Sequence, residues 1–142
     1  MPYRRILVPL IGTSVDADVI RIAVSLAKAD HAELLGVHVI EVRWNQALDA
    51  VLEAETERGE VLLEQATKIA AQAGGKLETE LLQAREAAAA IVDTARDRGV
   101  DLILLGMPYR RRFGRTYVGR TVQAVYVTAS CAVLAYRQEE ST

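Results

Sequence analysis

The sequence has little of several things. Of its 142 residues one is cysteine, three are proline, one is tryptophan and one is phenylalanine. A lone cysteine, Cys131, rules out an internal disulfide and a multi-cysteine metal site. Within the apolar run Cys131 to Tyr136 it reads as a small buried hydrophobe. Scarce proline and nine glycines exclude collagen-like and low-complexity chains. No apolar run approaches the roughly 18 residues of a membrane span. Met1-Pro2-Tyr3-Arg4-Arg5 leads into only six apolar residues before Gly12, too short for a secretory leader, so a cytoplasmic location without membrane contact is expected.

What is present suits one globular domain over residues 1–142: 51% apolar residues, 25% charged and a net charge of −2. The charge is unevenly spread. Arg110, Arg111, Arg112, Arg115 and Arg120 fall between Met107 and Arg120 with no acid among them, leaving the rest of the chain correspondingly acidic. One short basic segment points to a local anion site or salt-linked surface, whereas a duplex-binding protein spreads its basic charge more widely.

The hydrophobic pattern alternates. Ile6 to Leu10 is a short apolar strand, and Gly12-Thr13-Ser14 starts a helix over about 14–29, with Asp16 and Asp18 in its first turn. Ala32 to Val42 reads as a buried strand, and Leu48 to Ala70 carries one apolar face of a long helix over about 46–73. That helix has Gly59 as a weak point and Gly74-Gly75 as its stop. Leu77, Thr79 and Leu81 alternate with Glu78 and Glu80, the pattern of a strand near a sheet edge. A helix from Ala87 to Gly99, a central strand from Val100 to Leu105, a short helix from Gly119 and a strand from Ala132 to Tyr136 complete the chain. Strict βα alternation with right-handed crossovers predicts an α/β fold, a doubly wound parallel sheet of five strands with helices on both faces.

In such sheets ligands collect at the carboxyl ends of the strands. Two segments leave there: Pro9 to Ser14, and the long connection Gly106 to Val118. The second is longer than a β-to-α link requires, and long loops are where binding is often placed.

Four stretches resemble the universal stress protein family: Arg5-Ile6-Leu7-Val8-Pro9, Gly36-Val37-His38-Val39, Val100 to Gly106 and Ser130-Cys131-Ala132-Val133-Leu134. The resemblance runs along essentially the whole chain. It implies strand order 3-2-1-4-5, an adenine nucleotide alpha-hydrolase-like fold and a homodimer joined along the fifth strands. Tyr126, Val133 and Tyr136 are the candidate contacts at that edge, which a soluble protein tends to pair. The nucleotide-binding branch of the family is similar to Gly-x2-Gly-x9-Gly-Ser/Thr after strand four, with an aspartate after strand one. Here Gly106 and Gly119 match the first and third glycines, while Tyr109 replaces the second, Arg120 the hydroxyl residue and Ile11 the aspartate.

These changes have physical content. A glycine lets backbone N–H groups approach phosphate oxygens, which a tyrosine does not. Gly119 still opens a helix, Thr121 brings a hydroxyl, and arginines bind phosphate through paired, charge-assisted hydrogen bonds. The candidate nucleotide- or anion-binding set is therefore Pro9, Ile11, Val39, Gly106, Arg110, Arg111, Arg112, Arg115, Gly119, Arg120 and Thr121. The other reading of the arginines is solvated or dimer-linking surface charge. Gly114 to Thr121 has the spacing of a phosphate loop with Arg120 for lysine, yet it begins eight residues beyond Gly106 rather than at the strand end.

Hydrolase, zinc-protease and complete dinucleotide motifs are missing, and no metal or catalytic constellation is expected. His38 reads as a hydrogen-bonded strand residue, His31 as a loop residue, and Trp44 as partly buried packing rather than a stacking platform. Glu53, Glu55, Glu57, Glu60 and Glu64 read as the wet face of a helix. The leading function is a dimeric, non-enzymatic stress-response module acting through a protein partner or a bound ligand. The alternative is a binder of ATP, AMP with Mg, or another phosphate anion through the arginine loop. A slow ATPase and a nucleic-acid binder are weaker readings.

Overall fold

The computed structural model describes residues 3–109, 111–112, 115–116 and 118–139. In chain order it contains β1 (Arg5–Pro9), α1 (Val15–Asp30), β2 (Glu33–Glu41), α2 (Glu53–Gln72), β3 (Leu77–Ala84), α3 (Ala87–Asp97) and β4 (Leu102–Met107). Two short strands follow, β5 (Arg111–Arg112) and β6 (Arg115–Thr116), then α4 (Arg120–Thr128) and β7 (Ala132–Arg137). The main sheet has the order β3-β2-β1-β4-β7, and every neighbouring pair is parallel. This is the expected 3-2-1-4-5 arrangement, with β7 as its fifth strand.

Side-chain alternation divides the apolar residues between two layers. Ile6 and Val8 of β1 and Leu102 and Leu104 of β4 face α1 and α2, where Val19, Ile20, Leu63 and Ala66 meet them. Leu7, Ile103 and Leu105 face the other way, against Ile91 and Val92 of α3 and Val122 and Val125 of α4. Central strands buried on both faces explain the near-continuous apolar runs of β1 and β4. At the β3 edge, Arg98 bonds Glu78 and Glu80 at 3.0 and 2.9 Å, which keeps charge along an otherwise open strand.

Three expectations require correction. The second long helix begins at Glu53 rather than near 46. Gln83 of β3 donates to the carbonyls of Leu48 and Ala50 at 3.0 and 3.1 Å, and Arg85 donates to those of Val42 and Arg43. Side chains at the end of β3 and just beyond it thus satisfy backbone acceptors ahead of α2, and the segment runs in turns. Trp44 is 77% exposed, with the Arg85 guanidinium 4.9 Å from its ring centroid, so it is not packed into the core. Cys131 is half-buried rather than buried and packs against the α3/α4 layer. In addition, the connection after β4 contains an antiparallel β5/β6 pair, Arg111 opposite Thr116 and Arg112 opposite Arg115.

Candidate functional site

The turn from β1 to α1 is built by one carboxylate. Asp16 accepts the N–H groups of Ile11 and Gly12 at 3.1 and 2.8 Å, and its own N–H donates to Thr13 at 3.0 Å. Gly12 has φ +85°, a conformation that side chains rarely adopt, so the glycine lets the chain reverse within this turn. Burial pushes the Asp16 carboxyl above its ordinary range, opposed by the two N–H groups and by nearby His38. On the β2 side, Leu10 N–H donates to Val37 O at 2.7 Å, and His38 Nδ1 donates to Leu10 O at 2.8 Å. His38 is thus the hydrogen-bonded strand residue that its position suggested.

This turn forms one wall of a cavity of about 360 Å³ at the carboxyl ends of β1, β2 and β4. Pro9, Leu10 and Ile11 line it together with Val37, His38 and Val39 of the neighbouring strand. Leu105 to Pro108 form the β4 side, Ala87 and Ile91 of α3 close the back, and Gly119 to Val122 bring in the start of α4. The lining is mainly apolar, and the volume lies within the range of small-molecule sites. Gly119 caps α4 without a side-chain hydrogen bond, which leaves the first helical turn open to an acceptor. Glu41 is already engaged, since its Oε2 accepts the Ala87 N–H at 3.0 Å.

Of the candidate residues, Pro9, Ile11, Val39, Gly106, Gly119, Arg120 and Thr121 line this single cavity. Arg110 lies outside the described residues, and Arg111, Arg112 and Arg115 are described through their strand pairing alone. Val133 and Tyr136 turn inward, against the α3/α4 and α1/α2 layers respectively, while Tyr126 is 52% exposed. Beside them Leu134 is 46% exposed on β7.

Sequence reasoning missed the apolar back wall. Ile91 and Val122 carried helical spacing that marked them as core, and only the sheet order brings them to the cavity. It also missed the contacts from the end of β7. Arg137 places its guanidinium 4.7 Å from the Tyr109 ring centroid, and Gln138 Nε2 donates to Ser14 Oγ at 3.0 Å. A second, wider groove of about 980 Å³ lies between the β1–α1 turn and α2, sharing Ile11 and His38 with the first. Among the described residues no cluster of three or more His, Cys, Asp or Glu is arranged to hold a metal, and no helix is long and apolar enough to cross a membrane.

Comparison with known proteins adds an independent finding. The model of the universal stress protein family matches residues 2–137. A universal stress protein of Methanocaldococcus jannaschii is 28% identical over 142 residues, covering 96% of this chain and 83% of that protein. Among solved structures, a Lactobacillus plantarum universal stress protein superposes with a TM-score of 0.80 at 28% identity, covering 96% and 99% of the two chains. One from Archaeoglobus fulgidus, in complex with dAMP, superposes with a TM-score of 0.75 at 22% identity, covering 95% and 98%.

Proposed function

The chain belongs to the universal stress protein family, and from that premise we propose that it is a non-catalytic stress-response module whose carboxyl-edge cavity holds an adenine nucleotide or a related phosphate anion. The observation that carries this reading is the convergence of Gly106, Gly119, Arg120 and Thr121 with apolar walls around one cavity. The partly exposed apolar surface at Val39 suits the face of a planar ring, and the open start of α4 with the Arg120 charge beside it suits a phosphate. A relative of the same fold has been solved with dAMP. The ribose end fits less well. Ile11 offers no acceptor to sugar hydroxyls, and on the phosphate side Tyr109 cannot present its backbone as a glycine does. The chain is thus suited to a ligand held mainly through its ring and its charge.

Turnover has little support from the cavity, where Glu41 is tied to α3 and His38 to the Leu10 carbonyl. Isothermal titration of nucleotide-free protein with MgATP and AMP, at low and near-physiological salt, tests the reading. Binding that weakens with salt is expected, because exposed charge contacts are screened. No heat at either salt, with no thermal shift, overturns ligand binding; ATP hydrolysis abolished by Arg120→Ala overturns the non-catalytic part.

A homodimer along β7 belongs to the same reading, supported by an edge strand that exposes Leu134 and by Tyr126 and Val127 exposed on α4. A cytoplasmic location completes it and is tested by cell fractionation.

A further inference from the structure

We propose that Arg137 is an anion ligand of the carboxyl-edge cavity, held in place by the ring of Tyr109; the proposal rests on the ligand-binding reading above and names the group that meets the ligand's phosphate. Neither residue belongs to the set read from the sequence as binding.

The strand register places Arg137 beside the β4 side of the cavity, next to its lining rather than within it. β4 and β7 run parallel with Met107 opposite Arg137, so Arg137 ends its strand at the same sheet edge as Met107 and Pro108, which line the cavity. The pairing continues one residue further, where Gln138 N–H donates to Met107 O at 2.9 Å. Gln138 Nε2 then reaches Ser14 Oγ at 3.0 Å, tying this end of the chain to the β1–α1 turn. The chain around Arg137 is therefore anchored both to β4 and to the β1–α1 turn.

Its side chain has a resting place too. The guanidinium carbon stands 4.7 Å from the Tyr109 ring centroid, inside the roughly 6 Å range of a cation–π contact. A guanidinium that rests on a ring by its face keeps its N–H donors at the rim. Those donors form a planar fork suited to two phosphate oxygens. Among the described ion pairs none takes up Arg137, and Glu139 two residues on is exposed. An ordered arginine binds an anion with less loss of side-chain freedom than a mobile one. Tyr109 thus gives up the close backbone approach of a glycine and supplies a platform for a cation in its place. The ligand class that follows is a phosphate-bearing one, with the phosphate at the β4/β7 end of the cavity.

The test is titration calorimetry with MgATP and with adenosine, using the full chain, Arg137→Gln, Arg137→Lys, Tyr109→Phe and Tyr109→Ala. Thermal unfolding of each variant checks that the fold is kept. Arg137→Gln is expected to weaken MgATP about tenfold, the lower end of what a charge-assisted hydrogen bond corresponds to, while leaving adenosine unchanged. Its affinity is also expected to depend less on salt. Tyr109→Phe keeps the platform and the affinity. Tyr109→Ala loses the platform, and Arg137→Lys loses the fork; both weaken MgATP with adenosine unchanged. If Arg137→Gln binds MgATP as tightly as the parent, with the same salt dependence, the proposal falls and the cavity reading stands. A parent that binds neither MgATP nor adenosine overturns both. A parent that binds the two equally overturns the proposal alone.

Discussion

Gly106 of β4 lies directly beneath Val19 of α1: a Cβ on the glycine would overlap Val19 Cγ2 and stand 3.3 Å from Val15 Cγ2. Val19 is β-branched and fully packed, so it has little freedom to move aside. The first glycine of the phosphate-loop frame therefore also sets how closely α1 rests on the sheet. Gly106→Ala is expected to destabilise the protein by about 1–3 kcal/mol through overpacking. The double variant Gly106→Ala/Val19→Ala should lose clearly less than the sum of the two single variants, since each relieves the other. Urea unfolding of the four proteins measures this, and strict additivity would mean that the two residues do not compete for the same space.

The parallel sheet and its two layers were legible because the apolar runs of β1 and β4 and the helical spacing of α1 and α3 follow from burial alone. The start of α2 was not. Leu48 and Val51 continue the apolar spacing of the helix, yet both are exposed, and the segment before Glu53 is held by Gln83 and Arg85 from another strand. A long-range bond of that kind leaves no local pattern. The same limit applies to the cavity. Gly106 and Gly119 were visible as a spaced motif, whereas the pairing of Tyr109 with Arg137 joins residues that only the β4/β7 register brings together.

Two carboxylates are expected to give opposite pH dependences. Burial raises the Asp16 carboxyl above 3.8, opposed by the N–H groups of Ile11 and Gly12 and by His38. A raised acid favours folding fully below 3.8, and that contribution is lost as pH climbs through the folded-state value. Asp101 also loses some solvent, which pushes it up, but the N–H groups of Arg4 and Arg5 at 2.9 and 3.0 Å outweigh this and hold it below 3.8. Its contribution is present above 3.8 and lost as pH falls through the lowered value. Relative to Asp16→Asn the parent should lose advantage as pH rises from about 3 to 7, and relative to Asp101→Asn it should gain. Urea midpoints across that range decide the matter; a slope of the wrong sign for either residue refutes the environment assigned to it.

The β7 edge makes a prediction about assembly. Leu134 is 46% exposed on an edge strand with free pairing capacity, and Tyr126 of α4 is 52% exposed. Leu134→Glu places a charge where two edges would meet, while Val133 and Tyr136 keep their inward packing. Light scattering at micromolar concentration should give a dimer mass for the parent and a monomer mass for the variant, with thermal stability of the monomer's fold retained. A monomeric parent would remove the dimer from the account.

Ile11 offers the sharpest test of why this cavity differs from the family frame that its sequence resembles. Its side chain is 44% exposed and lines the cavity, so a polar replacement does not disturb the core. Its backbone N–H is already held by Asp16, which keeps the turn in place whatever side chain it carries. An aspartate there would supply the acceptor for ribose hydroxyls that the resemblance assigns to this position. Ile11→Asp is therefore expected to tighten adenosine about tenfold, the effect of one or two hydrogen bonds to a charged acceptor. Inorganic pyrophosphate has no ribose and should gain nothing; the added negative charge should weaken it slightly. The new carboxylate would also stand near that of Asp16 and raise it further, and the gain should be largest where the new carboxylate is ionised and paired with ligand hydroxyls. Calorimetry with adenosine and pyrophosphate separates these effects. An unchanged adenosine affinity in a normally folded Ile11→Asp variant would mean that the sugar does not lie at the β1–α1 turn, and that the ligand enters this cavity in another orientation.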